Sequence, residues 1–92
     1  MIKKVKHKGL KKLQTKGDGK SLNQDHVEKL ADILSVLDAA KKPADADIPG
    51  YDLHPLRGDR KGEWSVTVSG NWRVTFKFDG EDVTDVYYED YH

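Results

Sequence analysis

Between residues 64 and 78 apolar and polar side chains alternate. Trp64, Val66 and Val68 are separated by Ser65, Thr67 and Ser69, and Trp72, Val74, Phe76 and Phe78 by Arg73, Thr75 and Lys77. A period of two marks half-buried strands, because successive side chains point to opposite faces. Gly70-Asn71 between the runs is a two-residue hairpin signal of the kind that puts glycine first. Asp79-Gly80 marks the next turn, and a last strand spans about residues 83–89. Upstream the period changes. Val27, Leu30, Ala31, Leu34 and Leu37 recur at helical spacing, with Ile33 widening the stripe. Ser21 with Gln24 fits a capping box, which starts this helix near residue 21. It should end near Lys41-Lys42, because Pro43 follows. A shorter helix is expected from His7 to Lys16, with Leu10 and Leu13 on one face, closed by Gly17-Asp18-Gly19. Ile2 and Val5 among lysines suggest a short edge strand over residues 1–6, where lysines discourage sheet-to-sheet association. Residues 44–49 read as a loop, 51–54 as a short extended piece and 56–62 as a charged turn. Pro55 keeps His54 out of helical geometry.

The expected fold is α+β: two amino-terminal helices on a mainly antiparallel sheet of four or five strands, in one domain spanning residues 1–92. The face bearing Trp64, Val66, Val68, Trp72, Val74, Phe76 and Phe78 needs a cover, and the longer helix can supply it. The opposite face is polar and short-chained. Its small residues leave room for a ligand and Arg73 supplies charge; the alternative is an exposed strand arginine paired to an acid on the last strand.

Composition sets limits on function. Apolar residues make up 36% of the 92-residue chain and charged residues 35%, with a mean hydropathy of −0.80. No apolar run approaches the roughly 20 residues of a membrane helix, and no signal-peptide core follows the basic start. A cytoplasmic protein is expected. The absence of cysteine excludes disulfides and thiolate metal sites. A net charge of zero hides a split. Residues 1–20 carry eight lysines against Asp18, a net +7, whereas residues 79–92 carry six acids and no Lys or Arg. Such a split suggests a basic face for a polyanion; a solvated lysine-rich helix explains it equally well.

The four histidines have no paired metal-ligand spacing, and there is no phosphate-binding glycine loop and no Gly-x-Ser-x-Gly elbow. Metal-free RNA cleavage asks for less. A base must take the 2′-OH proton, a cation must stabilise the charged phosphorane, and an acid must protonate the leaving 5′ oxygen. His54, Arg57, Arg73, Tyr91 and His92 contain the needed groups. Tyr91 and His92 follow directly on the last strand-like run, which would hold a phenol, an imidazole and the terminal carboxylate at a sheet edge.

The opening Met1-Ile2-Lys3 with Lys6-His7-Lys8-Gly9-Leu10, the segment Leu53-His54-Pro55-Leu56-Arg57-Gly58-Asp59-Arg60, the strands Trp64 to Val68 and Asn71 to Phe76, and the ending Tyr88-Glu89-Asp90-Tyr91-His92 together resemble the HigB toxins of type II toxin–antitoxin systems, within the RelE-type superfamily. The resemblance runs end to end, weakest over residues 15–50. It implies a RelE-like fold and a ribosome-dependent mRNA endonuclease that cuts the codon in the decoding site and leaves a 2′,3′-cyclic phosphate, with no cofactor or metal. The family's active-site positions fall on His54, Arg57, Arg73, Asp90, Tyr91 and His92. His92 with His54 would move or align the 2′-OH proton, Arg57 and Arg73 would neutralise the phosphate, Tyr91 would stack on or hydrogen-bond the mRNA, and Asp90 would orient a neighbouring imidazole or cation. Arg57 stands where the family can carry Lys; a guanidinium does not give up its proton, so Arg57 is an electrostatic group here. RNA contacts are expected from Lys3, Lys4, Lys6, Lys8, Lys11, Lys12 and Asn71. The implied partners are a HigA-type helix-turn-helix antitoxin, the small ribosomal subunit with its rRNA, and mRNA, with operator DNA reached only through the antitoxin complex. The alternatives from other classes are a non-catalytic RNA- or ribosome-binding module and an operon co-repressor.

Overall fold

The computed structural model describes residues 1–90, so the sequence-predicted Tyr91 and His92 lie outside the described residues. Two helices, α1 (Lys8–Lys16) and α2 (Val27–Ala39), precede four strands: β1 (His54–Pro55), β2 (Trp64–Ser69), β3 (Trp72–Asp79) and β4 (Asp82–Asp90). The strands form an antiparallel sheet in sequence order, β1-β2-β3-β4. The amino-terminal segment lies along β4 through two isolated parallel bridges, Ile2 to Val83 and Val5 to Val86. The expected edge strand therefore exists as two bridges, and the α+β class holds.

Each element has a local cause. In α1, His7 is the N-cap, and its Nδ1 accepts from the backbone N–H of Leu10 at 3.1 Å. Gly17 closes the helix in the left-handed conformation (φ 67°), its N–H donating to the Leu13 carbonyl at 3.0 Å and the Asp18 N–H to the Lys12 carbonyl at 3.3 Å. The β2–β3 turn places Gly70 first with φ 55°, as the Gly-Asn pair predicts. Asp85 is also left-handed (φ 53°), and it falls where the β3–β4 register shifts, so β4 bulges there.

The second helix differs from expectation at both ends. It starts at Val27 with His26 as N-cap, and no capping box forms. The Gln24 side chain does not reach back to the Ser21 backbone; its Nε2 donates to the carbonyls of Gly19 at 2.9 Å and Leu22 at 2.8 Å. Those bonds hold residues 19–24 as turns and delay the helix. At the far end Ala40 is already extended (φ −73°, ψ 136°), so α2 stops short of Lys41.

One sheet face and the helices share the core. Val66, Val74, Phe76, Val83 and Val86 meet Leu10, Leu30, Ile33 and Leu37, and none of these is more than 1% exposed. The charge split is folded side by side. The basic start runs beside acidic β4, and Lys3 Nζ pairs with Asp79 at 2.8 Å while the amino terminus reaches Asp82 at 3.5 Å. Lysine-rich and acid-rich ends thus partly neutralise each other, and Lys3 is committed to Asp79 rather than presented singly on a basic face.

Phe76→Ala should lower unfolding free energy by about 3–5 kcal/mol, read from urea denaturation, because Phe76 is fully buried at the centre of the core. A second outcome concerns pH. Burial lowers the His7 pKa below its ordinary value near 6.5, so the neutral, capping form is the folded one. The unfolded chain then binds the extra proton. Stability is complete above pH 6.5 and falls as pH drops below it. His7→Asn keeps a capping acceptor without titrating, and the slope of the urea midpoint between about pH 5 and 7 should flatten in that variant.

Candidate active site

The face of the sheet turned away from the helices is built in three cross-strand rows. The middle row runs His54–Ser65–Thr75–Tyr87, in register from β1 to β4. The row toward the β2–β3 turn is Thr67–Arg73–Glu89. On the other side Lys77 stands opposite Thr84, with its Nζ 3.9 Å from Asp85. Cross-strand neighbours on one face lie about 5 Å apart, so these rows bring His54, Arg73 and the polar residues between them onto one surface.

His54 is oriented from both ring nitrogens. Its Nδ1 lies 2.9 Å from the carbonyl of Asp52, and a carbonyl can only accept, so Nδ1 carries the proton. Asp52 itself adopts a left-handed conformation (φ 49°), one that aspartate tolerates better than most residues. The loop is fixed one residue earlier, where the Tyr51 carbonyl accepts from the Thr67 N–H at 2.6 Å. With Nδ1 protonated, Nε2 is the lone-pair nitrogen, and the buried Ser65 hydroxyl donates to it at 3.3 Å. In this tautomer Nε2 is the ring nitrogen that can take up a proton, with the Ser65 hydroxyl as its partner in the structure.

Arg73 stays on this face but pairs with no acid among the described residues. Its Nη1 donates to the carbonyls of Gly70 at 2.7 Å and Trp72 at 3.3 Å, which folds the guanidinium onto the hairpin turn. Asn71 is exposed on the same turn. Arg57 is exposed at the start of a 3-10 turn, Gly58–Arg60, with an extended backbone (φ −122°, ψ 174°). Asp90 ends β4, exposed and in register with Trp72. Lys6 lines the open face, whereas Lys8, Lys11 and Lys12 belong to α1 in the helical layer. The described residues therefore unite His54, Arg73, Asn71 and Lys6 with the turn of Arg57, and they set the α1 lysines apart.

One expectation for this face changes. Ser65 and Thr75 do not open room for a ligand; they are 1% and 0% exposed. The cover is Arg60. Its Nε and Nη2 donate to the two carboxylate oxygens of Glu63 at 3.1 and 3.0 Å, Nη1 lies 2.6 Å from Glu89 Oε1, and Nη2 is 3.4 Å from the Thr75 hydroxyl. The Glu89 contact is an ion pair off the line of a straight hydrogen bond. The bidentate bond from Arg60 holds the Glu63 carboxyl below its ordinary range, and Glu63 in turn raises the Arg60 guanidinium. A depression of about 300 Å³ remains beside this cluster, lined by Lys6, Arg60, Glu63, Thr75, Asp85, Tyr87 and Glu89. In the sequence Arg60 falls within the charged turn over residues 56–62, and Glu63 lies just beyond it with no signal of its own. Glu89 was legible in principle, since period-two spacing puts it on the face of Tyr87.

Behind β4 lies a second feature that periodicity does not reveal. The Tyr88 hydroxyl is 2.6 Å from His26 Nδ1, both residues are buried, and the Trp72 ring stacks on Tyr88 at 4.8 Å between centroids. His26 also meets Trp72 edge-on at 5.6 Å. This cluster ties the start of α2 to the strand ends on which Arg73 and Asp90 sit. Among the described residues there is no group of three or more His, Asp or Glu arranged to hold a metal ion.

Comparison with known proteins agrees with this geometry. The chain is 46% identical to the endoribonuclease HigB of Proteus vulgaris, over the full length of both proteins. Its fold is similar to that of the crystal structure of YafQ from E. coli, with a TM-score of 0.57 at 16% identity, covering 98% of this chain and 91% of that one. The profile of the RelE-like toxins of type II toxin–antitoxin system HigB matches residues 3–92. An open polar sheet face carrying an oriented histidine and an arginine, on a chain related throughout its length to that family, makes this protein a member of the HigB-like toxins of type II toxin–antitoxin systems.

Proposed function

We propose that the chain is an endoribonuclease that cuts mRNA in the decoding site of the small ribosomal subunit, without a metal or cofactor, and so arrests translation. The observation that carries this reading is His54. Its tautomer is set by the Asp52 carbonyl, its Nε2 accepts from Ser65, and it stands on the same polar sheet face as Arg73. In the proposed reaction a ribose 2′-OH attacks the adjacent phosphorus while its proton passes to a histidine, His92 or His54. The bond from phosphorus to the 5′ oxygen breaks, that oxygen is protonated, and a 2′,3′-cyclic phosphate remains. Arg73 and the exposed Arg57 neutralise the phosphorane. Tyr91 stacks on or bonds the mRNA, and Asp90 orients a neighbouring group. Asn71 at the hairpin tip and Lys6 extend the RNA contact, and Lys4, Lys8, Lys11 and Lys12 face ribosomal RNA. The ribosome supplies in-line geometry that free RNA visits rarely, so cleavage of free RNA is far slower.

As a type II toxin the chain has an antitoxin partner. We infer a HigA-type helix-turn-helix protein, through which the pair reaches operator DNA, and a site of action in the cytoplasm. No described helix is long and apolar enough to cross a membrane.

Primer extension on a defined mRNA in a purified translation mix tests the reading. Wild type should cut at the decoding-site codon only when ribosomes are present. His54→Ala and His92→Ala should each lose about 10²–10⁴-fold in single-turnover rate while still binding ribosomes. Translation inhibited by the wild type with no cut in the message would replace the nuclease by a ribosome-binding module.

A further inference from the structure

Arg60 lies at the middle of the open face, yet its charge is turned toward the protein. Its guanidinium contacts both oxygens of Glu63, Oε1 of Glu89 and the Thr75 hydroxyl, and so joins the turn of Arg57 to β3 and β4. The same turn is closed along its backbone, where Arg60 N–H donates to the Arg57 carbonyl at 3.3 Å and Leu56 N–H to the Glu63 carbonyl at 2.9 Å. Next to this cluster stands Arg73, directly opposite Glu89 in the β3–β4 register. An arginine and a glutamate facing each other on adjacent strands ordinarily pair. Here they do not: Glu89 is taken by Arg60, and Arg73 donates to two backbone carbonyls, which are neutral acceptors that a phosphate readily displaces.

We propose that Arg60 is a positioning residue for RNA cleavage, one that captures Glu89 and Glu63 so that neither carboxylate occupies Arg73 or faces the scissile phosphate. This inference rests on the nuclease reading above. Without Arg60, Glu89 is freed opposite Arg73, its cross-strand partner. A carboxylate held there neutralises the phosphate anchor and repels the approaching strand. In this role Arg60 acts through Arg73, by way of the carboxylates of Glu63 and Glu89 that its guanidinium holds.

The test is a charge-rescue series in ribosome-dependent single-turnover cleavage: wild type, Arg60→Gln, Glu89→Gln, and Arg60→Gln combined with Glu89→Gln and Glu63→Gln. Arg60→Gln should slow cleavage about 10–100-fold, as expected for loss of one charged group's stabilisation of the phosphorane. The triple variant should recover to within about threefold of wild type, because no carboxylate remains to compete for Arg73. Glu89→Gln alone, which leaves the Arg60–Glu63 pair intact, should cleave at least as fast as wild type. A folded triple variant as slow as Arg60→Gln would overturn the proposal and make Arg60 a direct phosphate contact or a scaffold. Should Arg60→Gln fail to fold, Glu89→Gln still decides, since a tenfold loss there is incompatible with the proposal. Full activity of Arg60→Gln is equally incompatible. Absence of cleavage by the wild type sinks the nuclease reading, and the inference with it, and that outcome is distinct from failed rescue in an active series.

Discussion

The guanidinium of Arg60 reconciles two demands that the sheet places on its uncovered face. A four-stranded sheet with helices on one side leaves the other side to solvent, yet Ser65 and Thr75 at its centre are as buried as the core. A buried hydroxyl needs a partner, and a buried carboxylate needs a cation. Arg60 serves Thr75, Glu63 and Glu89 together, and Ser65 turns to His54. Side-chain exposures of 19–32% place the ion pairs between the surface limit, worth at most about 1 kcal/mol, and the buried limit, where removing one partner costs about 3–5 kcal/mol. Screening brings the value toward the lower end. The larger consequence is specificity of arrangement: with Arg60 in place, Glu63 and Glu89 are both held by one guanidinium.

The opposite side of β4 is fixed by packing rather than charge. Trp72, Tyr88 and His26 form a stacked and edge-on aromatic group closed by a 2.6 Å hydrogen bond. Burial raises the Tyr88 phenol pKa, which keeps the hydroxyl protonated and able to pair with the imidazole. Trp72 is in register with Asp90, so the strand end rests on a rigid aromatic platform. Sites built on strands whose rotamers are locked by packing hold geometry better than sites on loops. His54 achieves the same on a two-residue strand, through the strained Asp52 backbone and the Tyr51–Thr67 hydrogen bond.

Strand existence, hairpin chemistry and the α1 cap at Gly17 were legible because each rests on neighbours in sequence: alternation, Gly-Asn, Gly-Asp-Gly. The start of α2 was not. Ser21 and Gln24 satisfy a local rule, but the Gln24 amide finds the carbonyls of Gly19 and Leu22, and turns win over the cap. Arg73 was legible as a cation on the polar face, and either reading of it, ligand contact or partner of an acid on the last strand, was available. What no local pattern gives is that a third residue, Arg60, takes that acid first. His26 and Tyr88, 62 positions apart, are hidden for the same reason: their bond exists only after the helix has docked.

The charge split shows how a linear count misleads. The basic start of the chain lies parallel to its acidic end, and Lys3–Asp79 and the amino terminus–Asp82 cancel part of both. Much of what remains positive lies in two places: the exposed lysines of α1, in the helical layer, and Lys6, Arg57, Arg73 and Lys77 around the open face of the sheet. A single RNA strand crossing the open face meets only the second group, and it also meets the carboxylates that Arg60 holds. A body with charged surfaces on more than one side can engage both groups at once, and electrostatic contacts made together reinforce each other through effective concentration. The geometry therefore favours a polyanion of ribosomal dimensions over free message, which is the physical ground on which the proposed dependence on the ribosome stands.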